Sequence, residues 1–204
     1  MFNIAVFISG RGSNLESLLK YFNFKKNIVK ISLVVSNRKD AFGLEIAKQN
    51  NIDTFLLNKE YSTYDILAEK IKEKNISLIV LAGFLKMIPS SFIKNFENKI
   101  INIHPALLPS FGGAGMYGIN VHKAVFNKSC QVSGATVHFV NDNYDEGLII
   151  SQEAVDITNV KSPEEIAERV LKIEHKILPK VVENIALNKV KIVNNRIYIK
   201  REME

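Results

Sequence analysis

Short apolar runs alternate with longer amphipathic stretches through the first two thirds of the chain, and that alternation leaves few folds open. Strands are predicted near residues 3–8, 29–35, 54–57, 78–82 and 100–103. Helices are predicted near 14–21, 43–50, 64–74, 90–96 and 121–126. A strand–helix repeat of this kind builds a parallel sheet, because joining parallel strands takes a long crossover that is usually helical. The expected fold class is therefore α/β, a doubly wound, mostly parallel sheet with helices on both faces. Beyond this point the pattern changes. Segments 134–140 and 148–155 read as neighbouring strands joined by a polar loop holding Asp142, Asp145 and Gly147. Ser162-Pro163-Glu164-Glu165 then reads as a helix start, with an N-cap Ser, Pro at N1 and Glu at N3 closing a capping box. Ile166, Val170, Ile173 and Ile177 continue an apolar stripe to Pro179, which is expected to bend or restart the helix. Residues 190–199 read as a hairpin turning at Asn194-Asn195.

The 204 residues, 47% hydrophobic and 24% charged, suit one domain spanning 1–204 with a core that needs no disulfide. The longest apolar run, 76–87, is interrupted by Ser77 and Lys86 and falls short of the roughly 20 residues that span a bilayer. The chain opens on a strand-like run with no basic leader, so a cytoplasmic protein is expected. Its net charge of +6 is spread over Lys25, Lys26 and Lys30, then Lys70, Lys72 and Lys74, then Lys189 and Lys191. Dispersed charge of this kind argues against a nucleic-acid groove and suits small anionic substrates. The single cysteine, Cys130, has no partner for a disulfide and is expected to be a buried small residue. The four histidines lack metal-ligand spacing, so no metal is expected.

Three segments carry candidate chemistry. Ser9-Gly10-Arg11-Gly12-Ser13-Asn14 follows a strand and opens a helix, where free N–H groups and the helix dipole attract an anion such as phosphate. A dinucleotide fingerprint would need a third glycine where Leu15 stands, so the nicotinamide reading is weak. In Ile100-Ile101-Asn102-Ile103-His104-Pro105, strand alternation puts Asn102 and His104 on one face, roughly 7 Å apart. A carbonyl between them could accept from the Asn amide and exchange a proton with the imidazole. The loop Asn141-Asp142-Asn143-Tyr144-Asp145-Glu146-Gly147 could bring a carboxylate to His104 and favour its protonated form. His122 and His138 have weaker claims.

These segments together resemble the glycinamide ribonucleotide formyltransferase family, folate-dependent enzymes of purine biosynthesis. The carriers are SGRGSN at 9–14, SNRKDAFGLEIA at 36–47, LAGFLKMI at 81–88, NIHPALLPSF at 102–111, SGATVHFV at 133–140 and DEG at 145–147. The resemblance implies transfer of a formyl group from 10-formyltetrahydrofolate to the amine of glycinamide ribonucleotide. These two small molecules are the only substrates it implies, with a monomer or homodimer and neither nucleic acid nor membrane as partner. It implies that Asn102, His104 and Asp145 are catalytic, and that Gly12, Ser13 and Asn14 hold the ribonucleotide phosphate. Glu174 would touch the same nucleotide. Leu85, Lys86, Met87 and Ile88, with Asn102 and the stretch Asn141, Asp142, Asn143, Tyr144 and Asp145, would line the folate pocket. Two departures stand out: a glycine-rich stretch, 111–118, replaces a proline–glycine pair, and an arginine near the folate tail has no counterpart around Tyr61. Methionyl-tRNA formyltransferase and formyltetrahydrofolate hydrolase carry further domains for which 204 residues leave no room. A noncatalytic nucleotide-binding module remains the reading from a different class, and it does not require Asn102, His104 and Asp145 to converge.

Overall fold

The computed structural model describes residues 1–25, 27–57 and 62–200; Lys26 and Tyr61 lie outside them. The chain divides into two compact units, Met1–Asn102 and Ile103–Glu204. Seven strands belong to one mostly parallel sheet, and two more form a separate hairpin sheet.

The first unit holds β1 (Phe2–Ile8), α1 (Ser13–Phe24), β2 (Val29–Ser36), α2 (Phe42–Gln49), β3 (Thr54–Leu56), α3 (Ser62–Glu73), β4 (Ile76–Leu81) and α4 (Ser90–Asn95). The strand β5 (Ile100–His104) begins there and ends in the second unit. Strands β3, β2, β1, β4 and β5 lie in that order and pair in parallel. Ile4 to Ile8 are all buried without a polar residue between them, as expected of a central parallel strand covered on both faces. The helices pack by apolar stripes, Leu15, Leu18 and Phe22 in α1 and Leu67, Ala68 and Ile71 in α3. The chain runs outward from β1 to β3 and then returns to place β4 against the other side of β1. Strand order therefore reverses between β1 and β4, and loops leaving the carboxyl ends of such strands diverge to open a ligand crevice.

The second unit holds α5 (Ile119–Asn127), β6 (Val132–Phe139), β7 (Ile149–Asp156), α6 (Pro163–Ala186), β8 (Val190–Val193) and β9 (Arg196–Ile199). Here β6 and β7 pair antiparallel, with α6 packed on both. The expected hairpin forms as β8–β9, and Asn194 and Asn195 both take positive φ, as a two-residue turn between twisted strands requires. Ser162 caps α6 by accepting from Glu165 N–H at 3.3 Å, but the return bond of Glu165 goes to Lys161 N–H at 3.0 Å, one residue earlier than a closed capping box would have it. Pro179 does not restart the helix. α6 continues through it to Ala186, because Leu178, Val181 and Val182 are buried and keep the apolar stripe in register across the lost backbone bond. Cys130 is half-buried in the turn after α5 rather than sealed in the core. Among the described residues no helix is long and apolar enough to cross a membrane.

Candidate active site

The anion-type turn sits at the carboxyl end of β1. Gly12 stands at the N-cap of α1 with φ of +80°, a left-handed conformation that penalises any side chain, and a Cβ there would lie 2.8 Å from Gly43 Cα. Gly43 N–H in turn donates to Gly10 O at 3.1 Å. The glycines of SGRGSN and of the AFGLEIA stretch are thus two halves of one close packing. Ser13 opens α1 half-buried, and Asn14 is buried beside it.

Across the strand-order reversal, the carboxyl end of β4 is tied to the same turn. Ser9 N–H donates to Gly83 O at 3.0 Å, and Ser9 Oγ accepts from Leu85 N–H at 2.8 Å while donating to Asn37 Oδ1 at 2.6 Å. The segment expected to meet folate follows directly. Leu85 and Met87 each expose about half of their surface (52%), Lys86 carries its ammonium 5.6 Å from the Tyr64 ring, and Ile88 is buried in the core. The Ile88 side chain is therefore closed to a ligand.

In β5, Asn102 and His104 share one face by alternation, and Pro105 ends the strand. Asn102 is half-buried and His104 is buried. The second unit brings a carboxylate to this imidazole. His104 Nδ1 lies 3.6 Å from Asp145 Oδ2, with the His104 side chain 4% exposed and that of Asp145 12%. His104 Nε2 lies 2.9 Å from Phe111 O, and since a carbonyl only accepts, Nε2 carries the hydrogen. A further proton would then reside on Nδ1, facing the carboxylate. Gly113 N–H donates to Asp145 Oδ2 at 2.9 Å.

Electrostatics divides the pair. Burial lowers the His104 pKa below that of an ordinary imidazole, and His138 lowers it further, while Asp145 and the Phe111 carbonyl pull the other way. Burial opposes ionisation of Asp145, but the imidazoles of His138 and His104 and the Gly113 N–H outweigh it and hold the carboxyl below the usual range. Burial thus favours the neutral imidazole while its neighbours keep the carboxyl ionised, an arrangement suited to taking up one proton reversibly.

The remaining expected residues belong to the second unit. Asn141, Asp142, Asn143 and Tyr144 are exposed in the loop leading to Asp145, which itself has a positive φ. Glu174 is half-buried in α6. Among the described residues, no group of three or more His, Cys, Asp or Glu is arranged to hold a metal ion.

Residues 2–182 match the family model described as formyl transferase. The chain belongs to the formyl transferase family. Within that family it is 34% identical to the phosphoribosylglycinamide formyltransferase of Haemophilus influenzae, over 98% of this chain and 94% of that one. It is 40% identical to the chloroplastic phosphoribosylglycinamide formyltransferase of Arabidopsis thaliana over 92% of this chain, but spans only 66% of that relative, and it spans 19% of the trifunctional purine biosynthetic protein adenosine-3 of Gallus gallus. Among solved structures, the phosphoribosylglycinamide formyltransferase of Anaplasma phagocytophilum superposes with a TM-score of 0.92 at 37% identity, covering 100% of this chain and 95% of that one.

Two partners of this family member's site, Thr136 and Gln152, were not singled out in sequence, and a third, His138, was given only a weak claim. His138 Nε2 lies 3.6 Å from Asp145 Oδ1. Thr136 Oγ1, fully buried, donates to Ala106 O at 2.6 Å and accepts from Leu108 N–H at 3.1 Å and Gln152 Nε2 at 3.0 Å. Gln152 also donates to Leu108 O at 2.8 Å. Thr136 and Gln152 thereby clamp the chain that leads from His104 to the Phe111 carbonyl. The SGATVHFV stretch contained the signal: Thr136 and His138 are polar residues two apart inside an otherwise apolar strand.

Proposed function

We propose that this protein transfers the formyl group of 10-formyltetrahydrofolate to the amine of 5'-phosphoribosylglycinamide in de novo purine biosynthesis, in the cytoplasm, as a monomer or homodimer. The observation that carries this reading is the buried His104–Asp145 contact at the end of β5 in a chain of this family. The amine attacks the formyl carbon, the carbonyl oxygen gains charge in a tetrahedral intermediate, and the carbon–nitrogen bond to the folate breaks as that nitrogen takes a proton. Asn102 donates to the developing oxyanion. His104 steadies the same charge and passes the proton, turning Nε2 from the Phe111 carbonyl to the substrate as the 111–118 stretch shifts. Asp145 supports the cationic imidazole that forms in between.

Binding falls to other groups. Gly12, Ser13 and Asn14 take the ribonucleotide phosphate at the start of α1, where N–H groups and the helix dipole favour an anion. Glu174 contacts the glycinamide. Leu85, Lys86, Met87 and Ile88, with Asn141, Asp142, Asn143 and Tyr144, form walls for the folate, much of the recognition coming from backbone groups. Support for this assignment comes from the strand-order reversal beside the 9–14 and 83–88 segments, a place where open α/β sheets bind ligands.

The reading is tested by incubating purified protein with both substrates and weighing the nucleotide. Formylated nucleotide is the expected product. Formate released into water without formylated nucleotide would mark a hydrolase, and no turnover at all would favour a noncatalytic nucleotide-binding module.

A further inference from the structure

We infer that Arg11 is a substrate-binding residue whose guanidinium grips the phosphate of the nucleotide at the start of α1. This inference rests on the formyl-transfer reading above and adds to its phosphate site the one charged side chain of the 9–14 turn.

The inner side of that turn is fully engaged. Ser9 N–H donates to Gly83 O, Ser9 Oγ is shared between Leu85 N–H and Asn37, and Gly10 O accepts from Gly43 N–H at 3.1 Å. Gly12, with φ of +80°, packs so closely on Gly43 that a Cβ would lie 2.8 Å from its Cα. Arg11 stands between these two anchored glycines and is exposed. Its backbone is held while its head is free: among the described residues, no ion pair or hydrogen bond engages the guanidinium. Arg38, the other arginine of the first unit, is already committed, with Nε and Nη2 on the Asp40 carboxylate at 3.1 and 2.7 Å.

Charge balance gives the free guanidinium its use. A phosphate monoester carries about 1.5 to 2 negative charges near neutral pH. The first turn of α1 offers it backbone N–H groups, since Gly12 supplies no capping side chain, and a helix N-terminus acts as roughly half a positive charge. About one full charge is left without a counterpart. Glu16, also in the first turn, has the wrong sign and enlarges the deficit. Arg11 is the only residue from 9 to 14 that can supply the missing charge, and a guanidinium meets phosphate with two parallel N–H bonds where an ammonium offers a point charge. Arg11 thereby favours the phosphorylated amine over the same amine without its phosphate. An exposed arginine with no such duty is a solvated surface group, and its loss would leave substrate affinity alone.

The test compares wild type, Arg11→Gln and Arg11→Lys by steady-state kinetics with each substrate varied in turn, by thermal melting, and by calorimetric titration with ribose 5-phosphate. Losing a hydrogen bond to a charged group weakens binding by ~10-fold or more, so KM for glycinamide ribonucleotide should rise by that factor in Arg11→Gln. KM for 10-formyltetrahydrofolate should change little, kcat should fall far less than the nucleotide KM rises, and the melting temperature should stay with wild type. Arg11→Lys should recover only part of the loss, because it restores the charge without the paired bonds. An unchanged KM for the nucleotide, or equal rises for both substrates, would overturn the inference. Should wild type transfer no formyl group, the functional reading fails, and ribose 5-phosphate still decides this one: wild type binds it and Arg11→Gln binds it ~10-fold more weakly, or the inference is wrong.

Discussion

Asn102 and His104 sit two residues apart on one strand face, and the proposed mechanism gives each a separate duty toward the reacting carbonyl. Losing one oxyanion donor typically costs ~10²–10³ in kcat, so Asn102→Ala and His104→Ala should each fall by about that much without unfolding. Steady-state kinetics with far-UV circular dichroism checks both, and near-normal turnover in the two variants would break the assignment. His122 is a residue of another kind. It is 5% exposed in α5, its Nδ1 has no hydrogen-bond partner, and burial together with nearby His104 pushes it down to about 4. Its folded pKa is depressed, so its contribution to stability is full above its unfolded value of 6.5 and is lost as pH falls from there toward 4. That shift corresponds to roughly 3 kcal/mol. Urea unfolding of His122→Leu at pH 7 and pH 4.5 should show a clearly smaller acid loss than wild type.

At the scale of elements, the chain from His104 to Gly113 is held by a polar clamp rather than by secondary structure. Thr136→Val keeps the shape but strands the buried Leu108 N–H and Ala106 O, which should cost about 2–4 kcal/mol of stability and loosen the Phe111 carbonyl from His104. Denaturant unfolding measures the first effect, and a rise in exchange of the amides in 106–113 measures the second. The central strands and the packed helices were legible because burial shapes their sequence, as in Ile4–Ile8, whereas β3, β8 and β9 form with no buried residue. Element ends were less legible: β5 extends to His104 because Pro105, not loss of hydrophobicity, stops it, and α1 extends to Phe24, three residues past the expected end. Pro179, expected to bend or restart the helix, does not restart it, for a related reason. Local rules set the penalty of a proline, but packing of Leu178, Val181 and Val182 decides whether the helix survives it.

For the molecule as a whole, the +6 charge is spread thinly, yet both proposed substrates are anions. Long-range attraction of this sort is screened over about 8–10 Å at ordinary salt, so kcat/KM should decline as sodium chloride rises from 20 to 300 mM while kcat holds steady. Much of the candidate site was readable because short motifs carry it: SGRGSN announces a turn between strand and helix, and NIHP announces two polar groups on one strand face. What could not be read was the company kept by Asp145. His104, His138 and Asp145 are separated by stretches with no common period, and only the pairing of β6 with β7 brings the second imidazole to the carboxylate. The central claim is that the His104–Asp145 pair drives formyl transfer to an amine. A single-turnover reaction with the formyl carbon labelled with 13C tests it directly: the label should pass into the nucleotide at a rate that falls ~10²-fold or more in His104→Ala, whereas label appearing only as formate, or arriving equally fast in that variant, would contradict it.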